Sequence, residues 1–269
     1  MFGILVAVLT VASVGVLALQ RRVVFPRAFE GNRPVAAPRG AVELQIQTDQ
    51  GYSRAWLFPR SSTVSGPLVV FFHGNGETIQ DLARVTREYL ALGCSVLLPE
   101  YRGYGQSQGS PTSAKIVEDL ERLVEVALSR PELEGAQTVY HGYSLGGGFA
   151  TELSRRRPPR ALVLESTFRS IPAVARKFLI PSALILDELP SEKTLAELDL
   201  PVLIVHGRSD RLIPVDHAVA LSRSAKHAKL VLLDGGHATL TRGDEYWSAI
   251  RGLLAERGLL PSERAPVHF

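Results

Sequence analysis

Gly142-Tyr143-Ser144-Leu145-Gly146 encloses a serine between an apolar run, 138–141, and a segment of helical pattern, 145–156. A strand that turns this abruptly into a helix leaves no room for a Cβ on either side of the corner, which accounts for the glycines at 142 and 146. The serine is forced into strained backbone geometry, with its hydroxyl held out above the end of the strand. At a helix start, free N–H groups and the dipole favour negative charge developing on a substrate. The chemistry expected here is nucleophilic attack by Ser144. The competing reading is a glycine-rich phosphate-binding turn, but neither G-x-x-x-x-G-K-[ST] nor G-x-G-x-x-G with its strand and acidic partner occurs in the chain.

A serine hydroxyl is a weak nucleophile at neutral pH and needs a base, which an acid must orient. Seven histidines compete for that role. His73, His141 and His206 each end an apolar run before a glycine, where the ring packs beside the turn and hydrogen-bonds locally. His217 and His227 lie on or beside the helix expected after Pro214, and His268 is in the tail. His237 differs: Leu233-Asp234-Gly235-Gly236-His237 leaves the last apolar run in a loop whose glycines let the backbone swing the imidazole toward Ser144. His237 is therefore assigned as general base. The acid should also follow a strand, and Asp210 does so in the loop after 202–205, with Ile213-Pro214 closing the turn. Its competing reading is a turn-forming Asx residue. Asp216 reads as a helix cap and Asp234 as a turn residue beside the base.

The elements that must carry these groups are legible from periodicity. Residues 42–47 alternate with period two and read as a half-exposed strand, and 53–58 pairs with it through Asp49-Gln50-Gly51 as an antiparallel hairpin. Six runs without alternation follow, at 68–72, 95–98, 138–141, 161–164, 202–205 and 229–233, and fit strands covered on both faces. Helical segments lie between them, among them 81–92, 113–129 and 145–156, the last stopped by Pro158-Pro159. Strand alternating with helix predicts an α/β fold with a mostly parallel central sheet and right-handed crossovers.

Taken with His73-Gly74-Asn75-Gly76-Glu77, Tyr101-Arg102-Gly103-Tyr104-Gly105-Gln106-Ser107, Gly142 to Gly147, His206 to Asp210 and Gly236-His237, and with the chain order serine, aspartate, histidine, residues 41–258 resemble the α/β-hydrolase family. Within it the chain looks like the small membrane-anchored members described as serine-peptidase-like hydrolases. The resemblance implies an oxyanion hole of two backbone N–H groups, those of Asn75 and Leu145, and a two-step acyl transfer from a small or lipid-like ester or thioester. It calls for no metal and no organic cofactor. Residues 166–200 occupy the cap position and are short; Phe168, Phe178, Leu179, Ile180, Leu184, Ile185 and Leu186 make this segment apolar enough to line an acyl pocket, or else to pack the cap onto the sheet. A peptidase of the same fold, and a catalytically silent binding module tethered to a membrane, are the alternatives.

Composition bounds the rest. Among 269 residues, 45% hydrophobic and 21% charged side chains exclude a disordered chain, and a single cysteine excludes an internal disulfide framework. Arg21, Arg22, Arg27, Arg33 and Arg39 stand against Glu30 alone between residues 20 and 40, so this stretch accounts for more than the whole net charge of +3. The remainder offers no basic footprint for a nucleic acid. Met1 to Leu19 has no charged side chain, and as a helix it would be about 28 Å long, close to a bilayer's hydrocarbon thickness. It reads as a transmembrane anchor, with a cleaved signal peptide as the rival. Residues 20–40 read as a basic linker, 41–258 as the hydrolase domain and 259–269 as a tail. The arginines after the apolar run put the catalytic domain on the cytoplasmic side.

Overall fold

Alternation within the strands sorts the apolar side chains into two layers. In the strand Leu68–Phe72, Val70 and Phe72 enter one core cluster while Val69 and Phe71 enter the other. Leu162 and Leu164 part in the same way from Ala161 and Val163 two strands further across the sheet. Over the central strands both faces of the sheet are thus dry, which is why those runs show no polar alternation in the sequence, whereas the run at 229–233, expected to be covered on both faces, is an edge strand with only Leu233 buried.

The computed structural model describes residues 14–15, 19–29, 35–60 and 66–260. The strands are β1 (Val42–Thr48), β2 (Gly51–Phe58), β3 (Leu68–Phe72), β4 (Ser95–Pro99), β5 (Thr138–Tyr143), β6 (Ala161–Glu165), β7 (Pro201–Gly207) and β8 (His227–Leu233). They form one sheet in the order β1-β2-β4-β3-β5-β6-β7-β8. β2 is antiparallel to both β1 and β4, and every other pairing is parallel. The helices are α1 (Ala83–Ala91), α2 (Ser113–Leu128), α3 (Leu145–Arg156), α4 (Ile171–Ala175), α5 (Ser191–Glu197), α6 (Val215–Ser224) and α7 (Asp244–Glu256). α2, α3, α5 and α6 cover one face of the sheet, and α1 and α7 the other. The α/β architecture with an amino-terminal hairpin is the one expected. His227, expected beside a helix, opens β8 instead, because the edge strand begins before its apolar core.

Two buried ion pairs fasten the loop after β4, one to the hairpin and one to α2. The Arg54 guanidinium donates through Nε to Glu100 at 2.7 Å, and Arg102 reaches both Asp119 oxygens on α2 at 2.9 Å. Glu100, the glutamate ahead of Arg-Gly-Tyr-Gly, also accepts from the Gln106 amide at 2.8 Å and so closes that loop upon itself.

The amino-terminal segment departs from the linker expected over 20–40. Residues 19–24 are helical and Pro26–Phe29 form a 3-10 turn. Phe25 is fully buried and stacks on Phe149 of α3 with ring centroids 6.4 Å apart. Gln20 clasps the cap main chain, donating to the Leu184 carbonyl at 3.0 Å and accepting from the Leu186 amide at 2.9 Å, and Arg21 pairs with Asp187 at 3.2 Å. Arg27 donates to the Gly76 carbonyl at 2.9 Å. A proline- and arginine-rich composition marks a segment without its own core, but one buried phenylalanine is enough to dock it. The span expected over 1–19 lies mostly outside the described residues, among which no helix is long and apolar enough to cross a membrane. At the other end Leu259 is buried, so the domain reaches past 258; residues 261–269 are outside the described residues.

Candidate active site

The carboxyl ends of parallel strands β3, β5, β6, β7 and β8 share one edge, the usual place for an α/β site. Ser144 stands there, between β5 and α3, with φ 52° and ψ −117°. This left-handed φ is costly for a serine and persists because the surroundings hold it. Its amide donates to the Glu165 carbonyl at 2.9 Å, and its carbonyl accepts from the Thr167 hydroxyl at 2.7 Å. The steric account of the glycines holds as well: a Cβ on Gly142 would run into the Gly146 carbonyl, and one on Gly146 into the carbonyl of Phe72.

The structure brings the three separated residues together. Ser144 Oγ lies 2.9 Å from His237 Nε2, and His237 Nδ1 lies 2.8 Å from Asp210 Oδ2. With the proton of the neutral ring on Nδ1, as the carboxylate partner dictates, Nε2 is left to accept from the serine hydroxyl. Asp210 is 5% exposed, and its other oxygen accepts the amides of Leu212 and Ile213 at 2.9 and 2.8 Å. Burial alone would raise its pKa, but the bonds from His237 and the Ile213 amide outweigh it and keep the carboxyl below its ordinary range. Asp210 therefore performs the Asx turn and faces the imidazole at once, one oxygen for each. Asp216 lies in the first turn of α6, and the Asp234 side chain is fully exposed.

Asn75 lies in the loop after β3, exposed, with its carbonyl accepting from Tyr104 at 3.2 Å. Leu145 is the first residue of α3 and is 4% exposed. The 73–76 loop abuts the elbow: Phe72 and His73 carbonyls face Gly146, and Gly74 lies against the Tyr143 ring. Glu77 holds this loop by accepting the Gly74 amide at 2.8 Å.

The remaining histidines do other work. His73 bonds the Gly74 carbonyl at 2.8 Å, and His206 the Ile213 carbonyl at 2.8 Å, both local as expected. His141 departs from that expectation. Fully buried, it bonds Tyr89 at 2.7 Å and Glu165 at 3.2 Å, far along the chain. Glu165 also accepts from Tyr246 at 2.6 Å and from Arg242 at 2.9 Å. This ionic cluster beneath the elbow went unread because Glu165 directly follows an apolar run and nothing local marks its partners. In the cap, Phe168 is in the core, whereas Phe178, Leu179 and Leu186 are exposed, with Leu186 on the wall of an open cavity shared with Arg21, Ser113, Glu152 and Asp187.

The chain is similar to known proteins in sequence and in fold. Residues 65–189 match the family model Hydrolase_4, described as serine aminopeptidase, S33. An uncharacterized protein of Mycobacterium tuberculosis strain H37Rv, Rv2307c, is 34% identical over 271 residues, 95% of each chain. The alpha/beta hydrolase domain-containing protein WAV2 of Arabidopsis thaliana is 26% identical over 89% of each. Esterase Pf2001 of Pyrococcus furiosus superposes with a TM-score of 0.68 at 18% identity, covering 84% of this chain and 97% of that one. By sequence relationship and by fold, the chain belongs to the α/β-hydrolase family.

Proposed function

We propose that the protein is a serine hydrolase that cleaves carboxylic esters or thioesters through an acyl-enzyme. The observation that carries this reading is the unbroken relay from Asp210 through His237 to Ser144, with links of 2.8 and 2.9 Å. His237 takes the serine proton as Oγ attacks the acyl carbonyl and returns it to the departing alkoxide or thiolate; water, activated by the same imidazole, then releases the acid. The N–H groups of Asn75 and Leu145 stabilise the oxyanion, where loss of one donor typically costs about 10²–10³ in turnover. Leu19, Val23, Phe178, Leu179 and Leu186 are all exposed, and apolar surface of this kind suits contact with a lipid surface that would supply a lipid-like acyl donor. In the same reading the uncharged stretch Met1 to Leu19 tethers the chain to a membrane with the hydrolase domain in the cytoplasm.

The test is fluorophosphonate labelling and p-nitrophenyl ester hydrolysis by the wild type beside Ser144→Ala. Labelling and turnover by the wild type, with turnover down by at least about 10³ in the variant, are expected. An unlabelled wild type, or a variant that hydrolyses as fast, overturns the reading. The aminopeptidase description of the matched family model favours a second reading, peptide cleavage by the same residues. Faster release from aminoacyl p-nitroanilides than from esters would select it.

A further inference from the structure

The loop 234–243 that brings His237 to Ser144 is tied at its start by the Ser209 amide, which donates to the Gly235 carbonyl at 3.0 Å, and two further contacts reach it from the carboxyl ends of β5 and β6. The Tyr143 hydroxyl donates to the main-chain carbonyl of His237 at 3.1 Å, and the two rings stack with centroids 5.6 Å apart and an interplanar angle of 28°. Further along the same loop Arg242 donates through Nε to Glu165 at 2.9 Å, and its guanidinium carbon lies 5.3 Å over the Tyr143 ring. Tyr143 and Glu165 are direct cross-strand partners at the carboxyl ends of β5 and β6. Glu165 is itself fixed from below by Tyr246 and His141. One register pair of the sheet thus offers two handles, one for each end of the histidine loop. Tyr143 also touches Gly74, so the same ring spans from the base to the loop that carries Asn75.

We propose that Tyr143 and Arg242 are positioning residues of the hydrolytic site: together they clamp the His237 loop onto the paired ends of β5 and β6 and set the imidazole against Ser144. This rests on the serine hydrolase reading. The clamp acts on the reacting geometry and leaves substrate binding to other residues, so its loss lowers kcat and spares KM. A misplacement of about 1 Å is enough for a loss near 10²-fold.

The experiment compares the full chain with Tyr143→Phe, Tyr143→Leu, Arg242→Lys, Arg242→Met and the charge-balanced pair Arg242→Met with Glu165→Gln. It measures kcat and KM on a p-nitrophenyl ester per fluorophosphonate-titrated site, the pH profile of kcat/KM, and Tm. Tyr143→Leu and Arg242→Met should lose about 10- to 100-fold in kcat per titrated site with KM within about twofold. Tyr143→Phe keeps the stack but loses the bond to the His237 carbonyl, so its turnover should fall between those of the wild type and Tyr143→Leu, whereas Arg242→Lys keeps the cation and should retain most of the turnover. A residue needed only for folding would lower Tm or the titrated fraction and leave kcat per site and the pH profile where they were; that result overturns the proposal. The balanced pair keeps the test decisive if Arg242→Met fails to fold, since it removes the clamp without stranding a buried carboxylate. Failure of the underlying reading is separately visible, because Ser144→Ala would then turn over like the wild type.

Discussion

Phe25→Ala decides whether the segment before the hydrolase domain is a spacer or part of it. Among the polar ties of residues 19–29 are the Gln20 bonds to Leu184 and Leu186, the Arg21–Asp187 pair and the bond from Arg27 to Gly76. At about 1 kcal/mol net each, these do not offset the backbone ordering of such a segment, which costs about 1–2 kcal/mol per residue. Apolar burial must supply the difference, and Phe25, with 0% exposure, is the largest contributor. Truncating a fully buried phenylalanine costs about 3–5 kcal/mol. If the segment opens as a local unit, its undocked population then rises by about 10²–10⁴-fold, one factor of ten for each 1.4 kcal/mol. Limited trypsin digestion in detergent micelles reads that population at Arg21, Arg22 and Arg27 when opening is fast relative to cleavage. The wild type should be nicked slowly at these sites and Phe25→Ala faster by about two orders of magnitude or more. Equal nicking rates, with an unchanged urea midpoint, would refute the docking argument and restore the spacer.

Further predictions test the elbow and the cluster beneath it. Gly146→Ala should cost more than about 3 kcal/mol or prevent folding, since its Cβ meets the Phe72 carbonyl and backbone cannot yield. Gly252→Ala, in α7 with nothing within 4 Å of its Cβ, should instead stabilise by about 0.5–1 kcal/mol in the same urea titration; a comparable response at the two positions would contradict the steric account. Burial would raise the pKa of Glu165, but Arg242 and His141 outweigh it and hold the carboxyl at about 2 against an ordinary 4.5. A depressed folded-state pKa contributes stability above about pH 4.5 that is lost as pH falls toward 2, here about 3 kcal/mol. Urea stability followed across that window should fall less steeply in Glu165→Gln, although the variant is weaker at neutral pH; parallel curves would count against the pairing.

What could be read from the chain and what could not divide along a physical line. The elbow was legible because hard-sphere exclusion acts within a few residues: Gly142 and Gly146 are demanded by atoms of the same turn and of the strand beside it. The strand runs were legible because burial on both faces leaves a local mark. His237 and Asp210 could be picked out since each follows an apolar run, and a parallel sheet delivers such loops to one edge. Phe25 carried no such mark, because a single anchor has no period. Phe178 and Leu179 looked like pocket lining because composition reports apolarity and is silent on which way it faces.

Tyr143 and Arg242 illustrate the limit most sharply. Tyr143 is adjacent to the serine and Arg242 is close to the histidine, yet neither position has a residue preference set by its own turn. Their meeting depends on the cross-strand pairing of Tyr143 with Glu165 and on the route of the loop after β8, which are settled only once the sheet has formed. Gly235, at φ 126° and with the Thr239 carbonyl where a Cβ would sit, gives the turn that carries the base toward the serine. That turn sets the path of the main chain and leaves the imidazole's seat to contacts made at the sheet ends by Tyr143 and by Arg242 with Glu165. The glycines near the base are therefore readable from the sequence while its positioning contacts are not, and the residues flanking the nucleophile are the place to look for them.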